Sequence, residues 1–226
     1  MVEARTQQQT YARVAGLFYL LVLAFDIAGL AITSSIEGGG GFAAQARNVT
    51  GSETLYRVGL CLALLGSLST IPLAVGLYVT LRPADPGLAT LGLVFRSAEA
   101  AIGGVGIVGS FAVLEAYLTG SQAALDSQSL GGASQVAAIF FCVGSTVFFW
   151  AFLRSGYLPR LLSMWGIFAS ALYLAYWFAT LVAPGLPGPI TIAASLPILI
   201  AEVTTGLWLL IGAVSSPPST AAGSRR

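Results

Sequence analysis

Residues 88–114 read LATLGLVFRSAEAAIGGVGIVGSFAVL. A membrane-spanning helix needs about 20 predominantly apolar residues, and this stretch has them. Two charges, Arg96 and Glu99, interrupt it. They lie ~12 and ~17 Å along the helix from Leu88 at the α-helical rise. A charge at such depth costs ~3 kcal/mol or more, so it comes with a partner or a task. The rest of the run is rich in small residues: Ala98, Ala100, Ala101, Gly103, Gly104, Gly106 and Gly109. Small residues let other helices approach closely, which points to this segment as the central helix of a bundle. Glu99, Gly103, Gly106 and Ser110 share one helix face, a carboxylate above a glycine stripe that suits a cavity wall.

Five further apolar runs have spanning length, at about 14–33, 58–81, 133–153, 161–183 and 190–214. With 88–114 they predict an all-α fold: a polytopic six-helix transmembrane bundle, one domain over residues 1–214. A disordered, Ser/Pro/Ala-rich cytoplasmic tail is expected at 215–226. Connections are short except the first, from Thr33 to Arg57, which carries Gly38 to Gly41 and is expected to be mobile. Pro83 and Pro86 punctuate the second connection. Pro184, Pro187 and Pro189, with Gly185 and Gly188, make the fifth a tight turn. Pro72 and Pro197 fall inside spans two and six, where each removes a helix hydrogen bond. The first run is too long for a secretory h-region and reads as an uncleaved signal anchor.

Arginine placement orients the bundle. With the N-terminus inside, cytoplasmic segments hold Arg5, Arg13, Arg82, Arg154, Arg160, Arg225 and Arg226, and outer segments hold only Arg47 and Arg57. Both termini are therefore expected in the cytoplasm, and the protein in the cell (inner) membrane. Asn48-Val49-Thr50 matches a glycosylation sequon in the first outer connection, a pattern common by chance.

Composition narrows the chemistry. Of 226 residues, 56% are hydrophobic and 8% charged, against about 25% charged in soluble domains. Lys and His are both absent. That excludes a lysine Schiff base, a haem or zinc histidine and a histidine general base. Cys61 and Cys142 lie in apolar runs and read as packing residues. The net charge of +1 argues against a nucleic-acid partner. No cofactor and no metal is implied. Membrane lipid and an apolar small molecule are the expected partners, and oligomeric state is not legible.

Two more ionisable residues are buried by the same depth argument. Glu202 lies ~18 Å along the sixth span from Ile190, and Asp26 is comparably deep in the first. Asp26, Arg96, Glu99 and Glu202 thus share a band around the midplane and meet if spans one, three and six are neighbours. In the plainer reading Arg96, Glu99 and Glu202 only fix helix register, with Arg96 neutralising Glu99, Glu202 or both, and Asp26 is the odd one. Three carboxyls against one arginine nonetheless leave surplus acid, and a neutral acid is the form that donates a proton. Glu115 near the end of the third span reads as interfacial. Tyr173, Tyr176, Trp177 and Phe178, and likewise Phe148, Phe149, Trp150 and Phe152, read first as interfacial belts. Lining an apolar ligand cavity is the alternative for the first group. Arg154 and Arg160 fit the topology, with a lipid phosphate as a second reading. Asp85 stands alone between prolines, and neither a paired-Asp motif nor a phosphate-cradling glycine loop is present.

Several blocks carry a resemblance. Ala12-Arg13-Val14-Ala15-Gly16-Leu17-Phe18-Tyr19-Leu20 opens the chain, and Leu77-Tyr78-Val79 runs into Leu81-Arg82-Pro83. Phe95-Arg96-Ser97-Ala98-Glu99-Ala100 and Arg154-Ser155-Gly156-Tyr157-Leu158-Pro159-Arg160 follow in order. Together they resemble the bacterial membrane family known as domain of unknown function 4386, over nearly the whole chain. The resemblance implies six helices and marks Arg96, Glu99 and Glu202 as family-pattern positions; it implies no activity.

Function is therefore read from the buried set. The leading expectation is an intramembrane acid-catalysed enzyme acting on an isoprenoid or other lipid-like substrate, a cyclase or isomerase by analogy with small membrane terpene cyclases. Its catalytic residues would be Glu99, Glu202, Asp26 and Arg96. The alternatives are a small-molecule or ion carrier, or a non-catalytic lipid-binding subunit. An enclosed acid-walled pocket favours the enzyme, a through-path the carrier, and a sealed ion pair the structural role.

Overall fold

The computed structural model describes residues 2–126, 132–183 and 185–212. Among them are eight helices and no strand: α1 Val2–Glu37, α2 Phe42–Gly51, α3 Glu53–Leu81, α4 Pro86–Thr119, α5 Gln122–Asp126, α6 Ala133–Ser155, α7 Arg160–Val182 and α8 Gly188–Ile211. Six of these (α1, α3, α4, α6, α7 and α8) are long and apolar enough to cross a membrane. The tail expected to be disordered at 215–226 lies outside the described residues.

The six long helices form a ring. α1 packs on α3, α3 on α4, α4 on α6, α6 on α7, α7 on α8, and α8 returns to α1. No helix is central, which corrects the expectation for α4. Its small residues serve its two flanks instead: a Cβ on Gly92 would meet the Phe148 ring on α6, and one on Gly103 would meet Ser67 Oγ on α3.

Glycines also set the other crossings. A Cβ on Gly16 of α1 would lie 2.6 Å from Gly206 O and Leu210 N on α8, so the two backbones touch there. Farther along α1, a Cβ on Gly29 would lie 2.8 Å from Gly59 O on α3. The end of the bundle bearing Arg82 and Arg154 is filled by a core that includes Ala15, Tyr19, Leu73, Leu77, Phe148, Phe152 and Leu209.

Two further expectations are corrected. The long first connection holds α2, whose Ala46 and Val49 are buried with Tyr56, Leu60, Leu114 and Tyr117. Asn48 of the sequon sits in this helix with its amide donating to Glu37 O at 3.3 Å. The aromatic group before Arg154 is not a belt: Phe148, Phe149 and Phe152 are buried and only Trp150 faces outward. Gly92 of α4 and Gly166 of α7 provide the slots for Phe148 and Phe149.

Asp85 and Arg154 form a clasp at one end of the bundle. Asp85 caps α4 by accepting from Leu88 N at 3.0 Å, and its other oxygen accepts from Arg154 Nη1 at 2.8 Å. At the opposite end Arg57 pairs with Glu53 at 2.7 Å and lies 3.8 Å from the exposed Glu115.

Candidate functional site

The ring surrounds a cavity of about 660 Å³, open on one side, to which all six spanning helices contribute, and Asp26, Arg96, Glu99 and Glu202 all line it. Ligand pockets occupy roughly 300–1,000 Å³. Most of the remaining wall is aliphatic or aromatic, with Ser67, Thr70, Ser134 and Ser195 as small polar points.

Arg96 anchors the floor and is 2% exposed. Its Nη1 lies 3.1 Å from Glu99 Oε2 and donates to Ser145 Oγ at 3.4 Å. Its guanidinium carbon stands 4.7 Å from the Phe141 ring centroid. The aliphatic stem rests on Gly144, where any Cβ would lie 3.1 Å from it. A lone buried arginine would be prohibitive, and this one has an anion, a hydroxyl and an aromatic face. Arg96 Nε and Glu99 Oε2 have no hydrogen-bond partner among the described residues, so the ion pair is close but poorly aligned.

Glu202, 6% exposed, comes from α8. It lies within electrostatic reach of Arg96 yet forms no ion pair with it, and its Oε1 is buried without a hydrogen-bond partner among the described residues. Among the described residues Arg96 therefore pairs with Glu99 alone. Asp26 lies nearer the cavity mouth and is exposed. It packs against α3 at Gly66, where a Cβ would overlap its carboxylate oxygen. It makes no ion pair among the described residues.

Other residues join the site. Tyr19 is buried within electrostatic reach of Glu202, Arg96 and Glu99, and it packs on Gly206, one turn from Glu202. It precedes Asp26 by two helical turns on the same face, a visible signal that the sequence reading passed over. Cys142, read as packing, is buried and faces the same charges. Tyr173 belongs to the cavity wall rather than a belt, edge-on to Phe141 at 6.3 Å and stacked with Tyr176 at 5.9 Å. Phe178 does face outward. Of the expected glycine stripe on α4, Gly103 lines the cavity, whereas a Cβ on Gly106 would face Ser134 on α6. Among the described residues no three His, Cys, Asp or Glu side chains are grouped to hold a metal ion.

Fold and site define a polytopic integral membrane protein, a ring of six spanning helices around a cavity with a charged floor. Residues 14–212 match the family model described as Domain of unknown function (DUF4386), and the chain belongs to that family. No curated protein and no solved structure matches it.

Proposed function

We propose that this protein is an intramembrane enzyme that uses the carboxyls of the cavity to protonate an isoprenoid or other lipid-like substrate, with cyclisation or isomerisation as the outcome. The observation that carries this reading is Glu202, whose Oε1 is buried in the cavity wall without a hydrogen-bond partner among the described residues. Arg96 is engaged by Glu99. A buried carboxyl with no ion pair of its own is more stable as the neutral acid, the form that carries a transferable proton.

In the proposed step Glu202 gives its proton to a carbon–carbon double bond. The O–H bond breaks, a C–H bond forms, and positive charge develops on the more substituted carbon. A second double bond of the chain attacks that carbon to close a ring, or an adjacent C–H gives up its proton directly. In either case a proton returns to a cavity carboxylate, Glu202 itself or Asp26, and a return to Glu202 restores the acid. The Arg96–Glu99 pair holds fixed charge beside the acid, and the Tyr173 ring offers a face to the cation.

A carrier needs a path through both halves of the bundle. The core at the Arg82–Arg154 end fills the ring on one side of the cavity, which supports an enzyme over a carrier. We infer from the arginine bias that both termini are cytoplasmic and that the protein resides in the cell's inner membrane, with lipid as its partner and no nucleic acid.

The test uses the isosteric variants Asp26→Asn, Glu99→Gln and Glu202→Gln, which keep shape and remove the carboxyl proton. Glu202→Gln is expected to fold and to lose product formation from a polyprenyl substrate. If all three variants fold and the cell's lipid and isoprenoid products are unchanged, acid catalysis is wrong.

A further inference from the structure

We propose that the cavity receives the tail end, rather than the headgroup, of a polyprenyl lipid in the leaflet on the α2 side, through a lateral portal between α1 and α8. The choice of an alkene-bearing tail rests on the acid-catalysis reading; the portal rests on geometry alone.

The portal follows from how α1 and α8 diverge. They touch at Gly16 and Gly206. Beyond that point α1 follows α3, with Gly29 against Gly59 and Asp26 against Gly66. α8 follows α7 instead: Pro197 O accepts from Trp165 Nε1 at 3.1 Å, and Tyr176 and Thr191 share a hydrogen bond of 2.9 Å. The two helices open as a fork. Ile27 and Leu30 on one prong and Ile192 and Leu196 on the other line the cavity and yet are 55%, 69%, 65% and 51% exposed. These four aliphatic side chains make the opening one that lipid tails, rather than ions, would pass.

Depth decides which end of the lipid arrives. Ile192 and Glu202 are ten residues apart on α8, so the cavity extends ~15 Å along the bundle axis. That is about half of a ~30 Å hydrocarbon core. A lipid whose tail is about as long as this depth, held by its headgroup at the membrane surface, therefore brings its tail terminus, not its head, to Arg96, Glu99 and Glu202. A saturated acyl tail ends in a methyl group, with nothing there for an acid to protonate. A polyprenyl tail ends in a trisubstituted double bond whose protonation gives a tertiary cation. These three residues stand where that alkene would lie.

The experiment uses the full chain in vesicles with photoreactive polyprenyl phosphates carrying a diazirine either at the tail terminus or next to the phosphate, followed by peptide mapping. The tail-terminal probe is expected to label peptides around Arg96–Gly103 and Ile198–Glu202, and the head-proximal probe is not. Leu30→Trp and Leu196→Trp, which fill the portal from outward-facing positions, should lose that labelling. Leu161→Trp, on the exposed start of α7, should keep it. Tail-terminal label confined to outward-facing positions such as Leu161 or Val182 would overturn the proposal, as would floor labelling by the head-proximal probe. Equal floor labelling by a saturated acyl diazirine would overturn the polyprenyl assignment. Labelling needs no turnover: floor labelling without product means that the acid chemistry alone fails, and product without floor labelling means that the portal alone fails.

Discussion

Removing Arg96 tests whether the floor of the cavity is a compensated charge set. At 3.1 Å from Glu99 the gross attraction is about 5 kcal/mol at an effective dielectric near 20. The bond to Ser145 and the Phe141 face add ~1–3 kcal/mol each. Desolvation of two buried ions opposes this with several kcal/mol each, so the intact set nets little. Removing one partner is different, because the carboxyl left behind must either stay charged without a cation or take up a proton, and truncating one member of such a pair costs ~3–5 kcal/mol. Arg96→Ala is therefore expected to destabilise the protein by ~3–5 kcal/mol in a reversible detergent-unfolding titration. Arg226→Ala, in the C-terminal tail, should leave stability unchanged. The double variant Arg96→Met with Glu99→Gln removes both charges at similar volume and should recover to within ~1–2 kcal/mol of the native protein. If Arg96→Ala and Arg226→Ala behave alike, Arg96 is hydrated from outside and the compensated floor does not exist.

Other expectations follow from the packing and the topology. Gly16→Ala should destabilise by ~1–3 kcal/mol, since its Cβ meets α8 backbone at 2.6 Å; Gly104→Ala, with nothing within 4 Å, should be neutral or slightly stabilising by thermal melt. Phe148→Ala should cost about 3 kcal/mol, far more than Trp150→Ala, because Phe148 is 1% exposed and Trp150 48%. Reporter fusions at Gly40, Ser127 and Gly188 should all read as external, and a cytoplasmic signal at any of them would refute the topology.

The six spanning helices were legible because each carries its own signal, a long apolar run bounded by Pro, Gly or Arg. The ring was not, because neighbours are chosen by pairs of surfaces distant in sequence. Gly92 announces a close approach but not that Phe148 fills it, and the aromatic group before Arg154 looked interfacial until Gly92 and Gly166 supplied its slots. The depth argument placed Asp26, Arg96, Glu99 and Glu202 at a common level, and all four line one cavity. It could not tell Glu99, paired with Arg96, from Glu202, whose Oε1 has no hydrogen-bond partner among the described residues, since that depends on side-chain reach across helices. Tyr19 stands two turns before Asp26 on one face of α1, a spacing that carried the signal, but a tyrosine in an apolar run reads first as packing.

The central claim, a cavity that holds a lipid tail against an acidic floor, is tested most directly by what the protein carries with it. Native mass spectrometry after gentle extraction, followed by identification of the released lipid, should find a polyprenyl species on the wild-type chain and its loss from the Leu30→Trp, Leu196→Trp double variant. Release of bulk phospholipid alone, in the same proportions from both proteins, would contradict the account.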